Sequence, residues 1–84
     1  MYFVYFLKSL KSAKFYIGYT SDLKKRLVEH NSRKNCSTKE DTPWKLIYYK
    51  AFESERDALM RERRLKYDGR AKVLLKKRLQ NSLS

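Results

Sequence analysis

The sequence predicts a small α/β domain of the α+β kind, a three-stranded antiparallel sheet flanked by helices in the order β-β-α-β-α-α. Three observations carry that prediction. Two apolar and aromatic runs, Tyr2 to Leu7 and Phe15 to Thr20, are separated by a short polar stretch, which is the pattern of an antiparallel hairpin. Helix-capping residues then precede two segments with helical spacing of apolar residues. Finally, 84 residues with 42% hydrophobic and 14% aromatic content suffice for one modest core, so one domain over residues 1–84 is expected and not a disordered basic tail.

The elements follow in order. Tyr2 to Leu7 is an unbroken apolar run, consistent with a strand buried on both faces. Ser9 to Lys14 is turn-like, and folding the hairpin about Leu10–Lys11 sets Tyr5 opposite Tyr16, with both hydroxyls on one face. Thr20-Ser21-Asp22 offers N-cap residues to a helix running from Leu23 to about Ser32. Ser32 to Thr42 is a polar loop, and Trp44 to Phe52 is a third strand behind Pro43. Ser54 with Asp57 forms a variant capping box that starts a helix ending near Tyr67. Asp68-Gly69 breaks that helix, Gly being suited to the left-handed residue at a helix end. Arg70 to Leu79 is a shorter basic helix. No internal repeat, linker or low-complexity tract interrupts the pattern.

A formal net charge of +12 and a pI near 10.0 call for a polyanionic partner. Nucleic acid comes first, and an acidic membrane surface is a weak second. Lys24 and Lys25 on the first helix, with Arg70, Lys72, Lys76 and Lys77 on the last, are the candidate phosphate contacts. Cys36 is the sole cysteine, so an internal disulfide and a His/Cys zinc cluster are both excluded, which suits a reducing cytoplasm. The apolar start MYFVYFLKS has no basic region before it and no small-residue cleavage site after it, so no signal peptide is expected. No run reaches the length of a membrane span.

Within the helices, a few polar residues fall where apolar ones belong. Taking Leu23 as origin, Leu27 lies at about 40°, His30 at about 340° and Arg26 at about 300° by the 3.6-residue repeat. Arg26 and His30 therefore flank the stripe that packs on the sheet, one turn apart. In the second helix, with Ala58 as origin, Leu65 lies at about 340° and Glu62 at about 40°. Glu62 is thus a carboxylate inside the apolar stripe, amid Arg61, Arg63 and Arg64. Glu55 shares its sector but only complements the dipole of the first turn. Each residue has a bland alternative: an aromatic core pair for the tyrosines, a surface ion pair or phosphate contact for Arg26, a hydrogen-bonded histidine for His30, and a buried ion pair for Glu62. Together, on a strongly basic chain, they fit phosphodiester hydrolysis assisted by a divalent cation on a hard oxygen ligand. The competing reading is a non-catalytic nucleic-acid-binding module whose tyrosines stack bases.

Phe3-Val4-Tyr5 followed about ten residues later by Tyr16-Ile17-Gly18, then Asp22-Leu23-Lys24-Lys25-Arg26-Leu27-Val28-Glu29-His30-Asn31 and Ala58-Leu59-Met60-Arg61-Glu62, resembles the GIY-YIG nuclease family. The small stand-alone bacterial, excinuclease-like members are the most similar in size and basic tail. The resemblance implies a metal-dependent endonuclease that acts on DNA ahead of RNA with one divalent ion, Mg²⁺ or Mn²⁺, and DNA repair or mobile-element processing as its setting. It implies Tyr5 and Tyr16 as paired catalytic tyrosines, Arg26 as transition-state stabiliser, His30 as proton-transfer or positioning residue and Glu62 as metal ligand. Tyr5 is the tyrosine expected nearest the attacking water. Gly18 is expected to leave room for a phosphate, and Tyr19 is assigned to packing or the rim. Phe3 departs from the family glycine, and the late polar residue of many members has only Asn81 as a candidate. Larger relatives carry separate target-selecting domains, so the resemblance implies either cutting with little specificity here or a protein partner that directs it.

Overall fold

The computed structural model describes residues 1–32 and 41–79, so most of the expected polar loop, Cys36 and Asn81 lie outside the described residues. The order is β1 (Tyr2–Ser9), β2 (Phe15–Thr20), α1 (Leu23–Asn31), β3 (Trp44–Phe52), α2 (Glu55–Tyr67) and α3 (Gly69–Arg78). The strands form one antiparallel sheet in the order β2-β1-β3. This is the α+β architecture that the sequence predicts.

β1 lies in the middle of the sheet, and for that reason its apolar run is unbroken. Both of its faces are covered. Val4 and Phe6 join Ile17, Ala58, Leu65 and Leu75 in a cluster beneath α2 and α3. Tyr5 and Leu7 pack with Trp44 on the other face, against Tyr16, Leu46 and the α1 residues Leu23 and Leu27. The sheet is thus sandwiched between α1 on one side and α2 with α3 on the other. A register shift between Phe6 and Leu7 leaves Ile47 as an extra residue in β3, and Ile47 packs with Tyr48 on the α2–α3 side.

Capping accounts for where the helices begin. Asp22 accepts from Lys25 N at 3.1 Å, and Ser54 accepts from Asp57 N at 3.3 Å. The break between α2 and α3 differs from the expectation. No glycine has a positive φ. Instead Asp68 stays extended, at φ −103° and ψ 101°, and its Oδ1 accepts from Arg70 N and Ala71 N. One aspartate both ends α2 and starts α3, and Gly69 is simply the first residue of the new helix.

Candidate active site

The β1–β2 hairpin pairs Tyr5 with Gly18 and Leu7 with Tyr16, two residues away from the expected pairing. The cause lies in the turn. Ser9 Oγ accepts from Lys11 N and Ser12 N, and Ser9 N donates to Lys14 O, so the hairpin closes about Lys11–Ser12 and not Leu10–Lys11. A shift of two preserves the pleat. Tyr5 and Tyr16 therefore still share a face as diagonal neighbours, with ring centroids 6.2 Å apart.

Gly18 makes that arrangement possible. A Cβ there would overlap Oη and Cζ of Tyr5 and lie 2.9 Å from Cε1 of Tyr16. The space that the glycine leaves is filled by the Tyr5 phenol, not held open for a phosphate.

α1 brings two further side chains. Its start is fixed by Asp22. Its end is clamped to β3 by Asn31, whose Oδ1 accepts from Trp44 N at 2.6 Å while its Nδ2 donates to Trp44 O at 3.1 Å. Held between these two points, His30 is fully buried, and its Nε2 lies 2.9 Å from the Tyr5 hydroxyl. The imidazole also packs edge-on against both tyrosine rings. Burial pushes its pKa down to about 4, the Arg26 charge adding to the effect, so the ring is neutral at neutral pH. Burial likewise raises the Tyr5 hydroxyl to about 12 against the pull of Arg26. Arg26 is half-buried, and its pKa is raised chiefly by hydrogen bonding to the Tyr5 oxygen, with Tyr16 acting in the same direction. Its outer edge donates to Glu29 Oε2 at 3.2 Å.

α2 approaches from the other side of the sheet, past the edge strand β2. Glu62 is half-buried and close enough for its charge to raise the Tyr5 pKa. Its carboxylate pairs with Lys66 Nζ at 3.5 Å, one turn on. The same ammonium lies 5.7 Å from the Tyr16 ring centroid. Lys66 is the site residue that sequence reading misses. Its spacing from Glu62 is the available signal, since Glu and Lys four apart meet on one helix face.

Among the described residues no group of three His, Cys, Asp or Glu side chains could hold a metal ion. Glu62 nevertheless fits a weakly chelated divalent cation. Such ions keep several waters and take only one or two carboxylates, and a cation bound at Glu62 would take the place of the Lys66 ammonium that pairs with it at 3.5 Å.

The structure therefore gathers Tyr5, Tyr16, Arg26 and His30 into one corner, with Glu62 and Lys66 at its margin. The other basic candidates stay apart from it. Lys24 and Lys25 are exposed on the outer side of α1, and Arg70 and Lys77 are exposed on α3. Lys72 is half-buried, and Lys76 lies 4.4 Å over the Phe15 ring. Tyr19 stacks on Tyr2 and donates to Glu55 Oε2 at 2.5 Å, a bond that raises its pKa to about 12. No helix among the described residues is long and apolar enough to cross a membrane.

The model of the GIY-YIG catalytic domain matches residues 1–80. A UPF0213 protein of Staphylococcus saprophyticus is 34% identical over 74 residues, which cover 87% of this chain and 89% of the relative. UPF0213 proteins of Bacillus pumilus and of Streptococcus pneumoniae serotype 4 are 44% identical over 52 residues and 42% over 57. Those two matches cover 61% and 67% of this chain but only 53% and 58% of the relatives, little more than half of their length. No solved structure gives a significant match.

Proposed function

Since the chain belongs to the GIY-YIG catalytic domain family, a family of nucleases, we propose that it is a metal-dependent endonuclease that hydrolyses phosphodiester bonds in DNA. The observation that carries this reading is the convergence of two phenols, a guanidinium and a neutral buried imidazole beside a half-buried carboxylate. A protein that only bound nucleic acid would gain nothing from a carboxylate next to bound phosphates.

The residues divide the work by burial. Tyr5 is 2% exposed and tied to His30, whereas Tyr16 is half-buried on the edge strand. This favours the reverse of the order expected from sequence, with Tyr16 next to the attacking water and Tyr5 behind it. As water oxygen attacks phosphorus and the bond to the leaving oxygen breaks, the water proton passes to the Tyr16 oxygen while the Tyr16 hydroxyl gives its own proton to solvent, and solvent supplies the proton that the leaving oxygen takes up. Arg26 offsets the charge that builds on the phosphoryl oxygens. His30 and Tyr5 are positioning residues, holding the Arg26 guanidinium and the Tyr16 ring at one spot. Bound at Glu62, a divalent ion would polarise a phosphate oxygen and add charge stabilisation.

The test is incubation with branched, single-stranded and duplex DNA, with and without Mg²⁺ or Mn²⁺, for the wild type and Glu62→Gln. Cleavage by the wild type only with metal, and its loss in the variant with binding retained, is the expected result. Metal-dependent cutting undiminished in Glu62→Gln would return Glu62 to a plain ion pair with Lys66. Binding without any cutting would leave a non-catalytic binding module.

A further inference from the structure

α2 packs on the sheet through Ala58 and Leu65, and its two flanks differ in chemistry. By the 3.6-residue repeat, with Ala58 as origin, Glu62 and Lys66 lie at about 40° and 80° on one side, and Arg61 and Arg64 at about 60° and 120° on the other. The second flank joins β3 and α3 around a cleft of about 420 Å³, lined by Lys50, Phe52, Arg61, Arg64, Arg70 and Arg78. The cleft shares no residue with the tyrosine corner.

Asp68 is the one carboxylate in its wall, and it is already engaged. It pairs with Arg64 at 3.8 Å and caps α3 through Oδ1. Lys50 lies 5.4 Å over the Phe52 ring. Among the described residues, the guanidinium groups of Arg61, Arg70 and Arg78 have neither a hydrogen-bond nor an ion-pair partner. Five cations around one concave surface repel one another, and a single engaged carboxylate does not offset them. Guanidinium forks match phosphate oxygens bidentately, and the cleft has room for more than one phosphate.

We propose that this cleft holds a second stretch of sugar–phosphate backbone, on the side of α2 away from the tyrosines, so that the nucleic acid is gripped at two separate places. The proposal rests on the reading above that the partner is nucleic acid, but not on its being cut.

The experiment compares the wild type with Arg61→Gln/Arg78→Gln and with the charge-keeping Arg61→Lys/Arg78→Lys. Binding of a fluorescein-labelled DNA duplex is followed by anisotropy across a salt series. Each phosphate contact contributes a slope of about −0.9 in log K against log salt, so the Gln pair should bind more weakly with a slope shallower by about 1.8. The Lys pair should keep the wild-type slope. Affinity and slope unchanged in the Gln pair would overturn the proposal. Should the Gln pair fail to fold, the exposed Arg78→Gln alone should flatten the slope by about 0.9, and an unchanged slope there would be equally fatal. A flattened slope in a protein that cuts nothing would remove the nuclease reading and leave the cleft standing. Normal cutting with an unaltered slope would do the opposite.

Discussion

Tyr5 and His30 share a buried hydrogen bond, and two measurements separate its role from that of Tyr16. Tyr16→Phe removes one oxygen and keeps a ring that packs against Tyr5, His30 and Trp44, so it should fold normally. Its cleavage rate should fall on the order of a hundred- to ten-thousand-fold, the usual contribution of a positioned acid–base group. Tyr5→Phe should also lose cleavage, by removing the oxygen that Arg26 and His30 share. If both variants cut at the wild-type rate, the phenols are only core aromatics. His30 supplies a pH signature. Its pKa is about 4 in the fold against 6.5 for the ordinary side chain, so the unfolded chain binds the extra proton between those values. Stability is therefore full above pH 6.5 and falls as pH drops toward 4, by about 2 kcal/mol at pH 4.5 from this group alone. Urea unfolding at pH 7 and pH 4.5 should show that loss in the wild type and not in His30→Gln. An equal loss in both would place the titrating group elsewhere. Arg26, His30 and Glu62 are visible in the sequence because each breaks an apolar stripe. Lys66 breaks no such pattern, because it lies on the flank of α2 where a lysine is ordinary, and only the fold brings that flank past β2 to Tyr16.

Strand and helix extents were legible to within a residue or two, because caps and apolar runs mark them locally. Hairpin register was not, since it depends on which backbone amides Ser9 captures in the turn. The two-residue error left the shared face of the tyrosines intact, whereas an error of one would have separated them. The α2–α3 break shows the same limit. An Asp-Gly pair announces a stop, but whether the glycine turns left-handed or the aspartate caps the next helix depends on how α3 packs. The element least legible was the junction of α1 with β3. Asn31 stands in the stretch that resembles the family motif, yet nothing in its neighbourhood shows that both of its amide atoms are held by the Trp44 backbone. Asn31→Ala leaves Trp44 N without that partner, and losing such a bond costs about 1–3 kcal/mol. Denaturant unfolding should report that loss. Cleavage should fall as well, because the helix end that carries His30 is no longer tied to the sheet. Unchanged stability would mean that Leu23, Leu27 and His30 hold α1 without help from Asn31.

At the scale of the whole molecule, a charge of +12 on a chain whose Cα radius of gyration is 12.4 Å governs both stability and binding. Sequence gives the magnitude of that charge but not its distribution. Lys24, Lys25, Arg70 and Lys77 stand free at the surface, whereas Lys76 is spent over Phe15 and Lys72 is half-buried. Exposed ammonium groups release counterions when they meet a backbone, so affinity for any nucleic acid should fall steeply as salt rises. Neutralising Lys72, Lys76 and Lys77 together should weaken binding to all sequences alike and make the salt slope shallower. The single substitutions should not contribute equally. Lys77→Gln should account for close to one contact, a slope change of about 0.9, and Lys76→Gln for less, because its ammonium already lies against an aromatic ring. Lys76→Gln should instead lower the unfolding midpoint, which Lys77→Gln leaves in place. Anisotropy across a salt series, paired with thermal unfolding of the same variants, distinguishes the two lysines. Equal slope changes from both would show that Lys76 leaves Phe15 to contact phosphate, and a change in preferred sequence would overturn the phosphate-contact reading of α3 altogether.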